Sequence, residues 1–291
     1  MLEDLAELWK FRYLLQMLIA RELKVRYKNS ALGFLWSIVP PLLSVVVLSF
    51  LVKTALGIRA TNYGPYLLCG IIPWTFFSTA VLDSSQSLLI NWGVIKKVYM
   101  PREVIPLAII VSNFIHFMLG WAVFFIFYLV VMRFVPPFDK GIPPRLEMLL
   151  FPLIVLVQAM LVTGASLWVA ALNTFYEDVK FLLQTLFGLV YFVFPIMFPV
   201  EVIFYSKSNA GANPLLFKLY MLNPITGIIN AFRRVILEPL QPESFNEKLI
   251  GKPPLPMDWM LFGGSAAISL FILISGYAYF NHVKWKFVER N

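Results

Sequence analysis

From Arg21 to Trp36 the chain reads RELKVRYKNSALGFLW, a crowd of cations that ends at Lys28 and runs into an uncharged stretch. No formal charge follows until after Val52. At about 1.5 Å of rise per residue, Asn29 to Val52 makes a helix of roughly 36 Å, enough to cross the hydrocarbon core of a bilayer. Lys and Arg flanking a first span are retained in the cytoplasm. Lys10, Arg12, Arg21, Lys24, Arg26 and Lys28 therefore place the N-terminus inside.

Composition points the same way. Hydrophobic residues make up 59% of the chain, aromatics 16% and charged residues only 14%, far from the balance of a soluble domain. The net charge of +8 does not indicate nucleic acid, because the cations lie between apolar runs and form no single basic face. The one cysteine, Cys69, excludes an intrachain disulfide. No CxxC or Cys/His cluster offers a metal site. A cleaved signal peptide is not expected, since the first apolar run starts only at Asn29 and exceeds the usual h-region.

Each uncharged gap can be tested against the roughly 20 residues that a crossing helix needs. Besides Asn29 to Val52, those that pass are Ala60 to Leu82, Val104 to Met132, Met148 to Tyr176, Phe181 to Val200, and Trp259 to Asn281. The expected fold is an all-α integral membrane protein with six transmembrane helices. Residues 1–28 form an interfacial helix and basic lead-in, and 29–291 form the membrane domain. An even number of spans puts both termini in the cytoplasm, although the cations favour that arrangement only slightly. Residues Leu219 to Phe232 are too short and too interrupted by Asn223, Pro224 and Gly227 for a seventh span, so short re-entrant or extracellular helices are expected between spans five and six.

Pro40 and Pro41 fall mid-span and withhold donors from the carbonyls of Trp36 and Ser37, which predicts a kinked first span. Ahead of it, Leu8, Phe11, Leu15, Leu18 and Ile19 fall within about 100° of a helical wheel, the pattern of a helix lying in the cytoplasmic interface.

The sequence contains little reactive chemistry. The pair Gly251 and Lys252 is followed by Pro253, and Asn246 stands where a P-loop needs its first glycine, so the chain has no ATPase site of its own. There are two histidines, His116 in the third span and His282 beside the last, and no GxSxG or HExxH pattern. No catalytic residues are assigned. Asp83 is the one carboxylate near an apolar run, which argues against ion coupling. The energy source is then external, and the partner that supplies it needs a docking surface. Asn91 to Pro106, NWGVIKKVYMPREVIP, combines cations with aromatic anchors in the first inside loop. Its ordinary reading is a basic loop that obeys topology alone.

Four blocks of the chain, in order, resemble the membrane subunits of ABC-2 type exporters that move lipid-linked polysaccharides such as O-antigen, capsule and wall teichoic acid. RELKVRYKNSALGFLWSIVPPL resembles that family's approach to the first span, with Arg26, Tyr27, Leu32, Gly33, Trp36 and Pro40 in place. The loop with Lys96, Lys97, Pro101 and Arg102 is similar to the one after the second span. FYEDVK at Phe175 to Lys180 resembles the short acidic turn between spans four and five, with Glu177 where arginine is common. LNPITGIINAFRRVIL resembles the Asn-Pro segment after span five.

The resemblance implies a multi-pass half-transporter of the bacterial cytoplasmic membrane. It would pair with itself as a homodimer and with two copies of a separate ABC ATPase, which would bind the ATP and Mg, while this chain binds no cofactor. Asn91, Lys96, Lys97, Pro101, Arg102 and Glu103 would form the ATPase-coupling surface. Arg21, Arg26, Tyr27, Gly33, Trp36, Pro40 and Pro41 would form a hinge. Tyr191, Phe194, Phe198, Asn223, Pro224, Arg233 and Arg234 would lie along the export path and its outer gate. Arg233 and Arg234 hint at a poly-phosphate cargo and tilt the reading slightly toward teichoic acid. The alternative is a membrane-embedded glycolipid-modifying enzyme using Glu238, Glu243 or Glu247, for which a solvated loop face is the ordinary reading.

Overall fold

The computed structural model describes residues 7–28, 30, 39–55, 63–97, 99–134, 145–205, 214–239 and 253–288. Among these residues the regular secondary structure is helical, without strands. Its helices are α1 (Arg12–Tyr27), α2 (Val39–Ala55), α3 (Tyr63–Ile90), α4 (Trp92–Ile95), α5 (Val104–Phe134), α6 (Phe151–Phe175), α7 (Val179–Val193), α8 (Glu201–Phe204), α9 (Pro214–Met221), α10 (Pro224–Ile236) and α11 (Trp259–Val283). Short 3-10 turns at Leu146–Leu150 and Lys284–Val288 extend α6 backward and α11 forward.

Four of these helices are long and apolar enough to cross a membrane, those built on α3, α5, α6 and α11. They correspond to the second, third, fourth and sixth expected spans. The first and fifth are represented by the shorter apolar helices Val39–Val52 and Val179–Val193. Residues 31–38 lie outside the described residues, and with them Gly33, Trp36 and the part of the first span where a kink is expected. Pro40 and Pro41 stand at the described start of α2, where the Pro40 carbonyl accepts from Ser44 Oγ at 2.9 Å.

α3 is the hub. It packs on α2, α5, α6, α7 and α10, and its buried face carries Leu67, Cys69, Trp74, Phe76 and Ala80. Pro73 interrupts the ladder of α3, and its carbonyl accepts from Gln158 Nε2 of α6 at 2.8 Å. Beside this hub, Trp121, Phe124, Phe151 and Phe232 interlock edge-to-face or tilted, with centroids 4.8 to 5.6 Å apart among the contacting pairs. α6 and α11 cross at Gly164 and Gly276, where a Cβ on either would run into the facing backbone. Small residues let helices approach this closely in lipid, where there is no hydrophobic drive between them.

Two ends of the bundle differ in character. At one, Leu88, Met100, Ile105, Leu167, Phe280, Val283 and Phe287 form a second apolar cluster on which Phe11, Leu14 and Leu18 of the N-terminal segment pack. Leu14 lies off the stripe expected from the sequence. The first and last described helical segments therefore share one end. At the other end lie α8, α9 and α10 with the starts of α3 and α11. α10 has 13 residues, roughly 20 Å at the usual rise, short of a crossing. The segment expected to be re-entrant thus forms two short helices, α9 and α10, broken at Leu222 and Asn223.

α1 starts at the Phe280 and Phe287 cluster and leans along α5 until Arg26 and Tyr27 meet Asn113 and His116. Those residues stand about 14 and 18 Å up α5 from Val104. Polar partners on α3 and α5 hold the end of this helix in place, because a polar group at such a position needs satisfaction.

Candidate functional site

At the Phe287 end, three segments that are remote in sequence are joined by polar contacts. Arg21 Nη2 donates to Asn91 Oδ1 at 2.5 Å, tying α1 to the loop after α3. Asn91 is buried and its amide also donates to the Ser87 carbonyl at 2.9 Å, which fixes the loop to the last turn of α3. Arg26 reaches Asp83 Oδ2 at 2.6 Å and Asn113 Oδ1 at 3.1 Å, while Asn113 Nδ2 donates to the same Asp83 oxygen at 3.1 Å. Tyr27 Oη hydrogen-bonds His116 Nδ1 at 2.9 Å. Finally, Lys284 Nζ donates to Glu103 Oε1 at 2.6 Å, and Glu103 is 1% exposed. The start of α5 is thereby pinned to the end of α11.

Between these anchors the loop presents its own surface. Lys96, Lys97 and Tyr99 are exposed, with Lys96 Nζ 5.7 Å from the Trp92 ring centroid. α4 packs against α3. A push on the loop therefore meets α3, α5 and α1 together.

At the opposite end, Asn223 caps α10 by accepting from Ile225 N at 3.1 Å, and Pro224 takes the first helical position. An Asn side chain satisfies an orphan donor there, and proline has none to lose. α10 then carries Arg233 into the protein. The guanidinium lies 3.6 Å from the Tyr66 ring centroid. It donates to the Tyr66 carbonyl at 3.2 Å, to Tyr66 Oη at 2.8 Å, to the Ile196 carbonyl at 2.5 Å and to the Pro195 carbonyl. Arg234 pairs with Glu201, which is 2% exposed and also accepts from Leu255 N at 3.2 Å. One arginine thus fastens the break after α7 to α3, and its neighbour fastens α8 and the segment before α11.

The chain matches, over residues 13–237, the profile described as ABC-2 type transporter. It belongs to the ABC-2 type transporter family. Similar proteins include O-antigen export system permease protein RfbA of Klebsiella pneumoniae, 29% identical over 283 residues and covering 95% of both chains. A second Klebsiella RfbA is 27% identical over 282 residues, again 95% of both chains. The RfbA of Myxococcus xanthus is 27% identical over 244 residues, 84% of this chain and 88% of the relative.

In this ABC-2 transporter subunit the residues expected at the coupling surface divide. Lys96 and Lys97 face outward, Pro101 and Arg102 are half-buried, and Asn91 and Glu103 face inward. Glu103 is an internal anchor for Lys284, enclosed in this chain. Of the hinge residues, Arg21, Arg26 and Tyr27 come together with the loop and α5, as described. Of the path aromatics, Phe194 is buried against Trp74 at 5.4 Å, and Tyr191 packs on the same ring at 6.2 Å. Phe198 is half-buried. Arg233 and Arg234 are not open gate cations: both are consumed by internal partners, which removes the hint toward a poly-phosphate cargo.

Sequence reasoning missed the partners. Asp83 was visible as a lone carboxylate, but nothing in the sequence pointed to Arg26, 57 positions away. Glu201 reads as the first charge of an outer loop, whereas it is one of the most enclosed carboxylates in the bundle. Tyr66 and the carbonyls of Pro195 and Ile196 carry no sequence signal at all. Glu243 and Glu247, considered for an enzyme, lie outside the described residues, and Glu238 is exposed.

Proposed function

We propose that this chain is the membrane-spanning permease of an ATP-driven exporter that moves a lipid-linked cell-surface polysaccharide across the bacterial cytoplasmic membrane. Two copies of this chain act with two copies of an ABC ATPase, which holds the ATP and Mg. The likeness to three O-antigen permeases along nearly the full chain supports the cargo class. It favours a glycan of the O-antigen kind over teichoic acid, and the internal use of Arg233 and Arg234 agrees. Membership in a transporter family sets aside the glycolipid-modifying enzyme.

The observation that carries the coupling reading is the Arg21 to Asn91 contact, which joins α1 to the loop bearing exposed Lys96 and Lys97. The Phe287 end is read as the cytoplasmic side. ATP binding closes the two ATPases, pushes this loop and tilts α1, α3 and α5 together. The path opens between α2 and α7 of two protomers. Both helices support that role: Leu43, Val46, Val47 and Phe50 on α2, and Leu182, Leu186, Leu189 and Phe192 on α7, are exposed apolar residues in one chain.

Deleting the gene and assaying surface polysaccharide, together with co-purification of a P-loop ATPase, tests this function. Loss of the polysaccharide from the surface with accumulation inside is expected. Normal surface polysaccharide in the deletion strain would overturn it.

A further inference from the structure

Charged and amide side chains are scarce in α3, α5 and α7, yet these three helices and the basic α1 line one cleft of about 430 Å³ with them. α3 contributes Asp83 and Gln86, α5 Ser112 and Asn113, α7 Lys180 and Gln184, and α1 Glu22 and Arg26. Each set is spaced by one, three or four residues, so it forms a single stripe on its helix. Asp83 lies about 10 Å from the end of α3, which places the cleft near the Phe287 end of the bundle, where Arg26 and Gln184 are exposed. Polar stripes at such depth are costly in lipid and mark pathways or sites. The volume falls in the range of small-ligand sites, about 300–1,000 Å³.

The lining chooses the ligand. Two carboxylates, Glu22 and Asp83, balance two cations, Arg26 and Lys180. Arg26 is held by Asp83 and Asn113, so a phosphate would find Lys180 as the one remaining cation, set against two carboxylates and without net positive charge to draw it in. The Gln86 and Gln184 amides, in contrast, make no side-chain hydrogen bond among the described residues. Each brings two donors and an acceptor, the set that a sugar hydroxyl, both donor and acceptor, can use. Leu82, Ile90 and Ile109 supply apolar wall for the faces of a sugar ring. We infer that this cleft is a binding site for an uncharged sugar unit, gripped by the Gln86 and Gln184 amides. The inference rests on the export reading and deepens it: the subunit recognises its cargo through the glycan at the cytoplasmic end, apart from the lipid phosphate.

The native cysteine helps the test. Cys69 is fully buried, so Ile90→Cys, an exposed position at the cleft wall, creates one reactive thiol while leaving every polar lining residue in place. Maleimide labelling of the whole transporter complex would be followed in vesicles with the cytoplasmic face outward. The probes are the host's surface polysaccharide repeat, released from its lipid by mild acid, and inorganic pyrophosphate. Near saturation the glycan should slow labelling about tenfold. Pyrophosphate should have no effect, and adding Gln86→Leu with Gln184→Leu should abolish protection. Absent glycan protection, equal protection by pyrophosphate, or protection that survives the double leucine variant would overturn the inference. Failure of the export reading is distinct, since it appears as surface polysaccharide persisting in the deletion strain.

Discussion

Arg26 and Asp83 meet at 2.6 Å although 57 positions separate them in the chain, one on the basic lead-in helix and the other about two turns from the end of α3. Both side chains are more than a third exposed, so solvent screening keeps the pair well below the strength of an enclosed one. Arg26→Ala should still cost about 1 kcal/mol, and it should free the end of α1 from the bundle. The exchange Arg26→Asp with Asp83→Arg should restore part of the loss. Denaturant unfolding in detergent measures the first effect, and spin-label distances between α1 and α5 measure the second.

Glu103 and Lys284 present the opposite case. Their side chains are 1% and 12% exposed, so removing one partner strands a buried charge. Glu103→Gln or Lys284→Met alone should destabilise the bundle by about 3–5 kcal/mol, whereas Glu103→Gln with Lys284→Met should cost less than either single change. Unfolding midpoints of the three variants decide the point. Equal, small losses in both single variants would mean that the pair is weak.

Arg233 depends on its planar fork, because its partners are two main-chain carbonyls of the break after α7 plus the Tyr66 carbonyl and hydroxyl. Arg233→Lys keeps the charge and loses most of these bonds. It should lower stability nearly as much as Arg233→Met, as judged by thermal inactivation. Gly70→Ala should act on the same cradle, since its Cβ would come within 2.6 Å of Arg233 Nη2.

Gly164 sets the distance between α6 and α11. Gly164→Leu should force the helices apart at a cost of about 1–3 kcal/mol, whereas Gly188→Leu on α7, where a Cβ meets nothing within 4 Å, should cost the single chain no stability. Yield and unfolding of the two variants in detergent separate the outcomes.

Four of the six expected spans were legible in the sequence because lipid imposes a strong rule, that long uncharged stretches mark crossings: α5, α6 and α11 follow such stretches, while α3 runs on through Asp83 to Ile90. The tight turn after Phe175 and the Asn-Pro start of α10 were legible too, since each is a local signal. Pairings between distant residues were not. Arg26 with Asp83, Glu103 with Lys284 and Arg234 with Glu201 depend on which helices become neighbours. Sequence placed Glu103 on a docking surface for that reason, because a loop charge looks exposed until the end of α11 is brought beside it. The aromatics near α7 show the same limit: Phe194 packs on Trp74, while Phe192, two positions earlier, faces outward. Phe194→Ala should therefore destabilise the fold, and Phe192→Ala should not.

If the loop after α3 receives the ATPase's motion, as proposed, its exposed lysines are the place to break the coupling. Lys96→Glu with Lys97→Glu changes two exposed side chains and spares the Asn91 and Glu103 anchors. The decisive measurement is the ratio of polysaccharide exported to ATP hydrolysed by the reconstituted complex. The expected result is a drop of tenfold or more, about 1.4 kcal/mol or greater in coupling, with an unchanged unfolding midpoint for the chain. An unaltered ratio at an unaltered midpoint would contradict it.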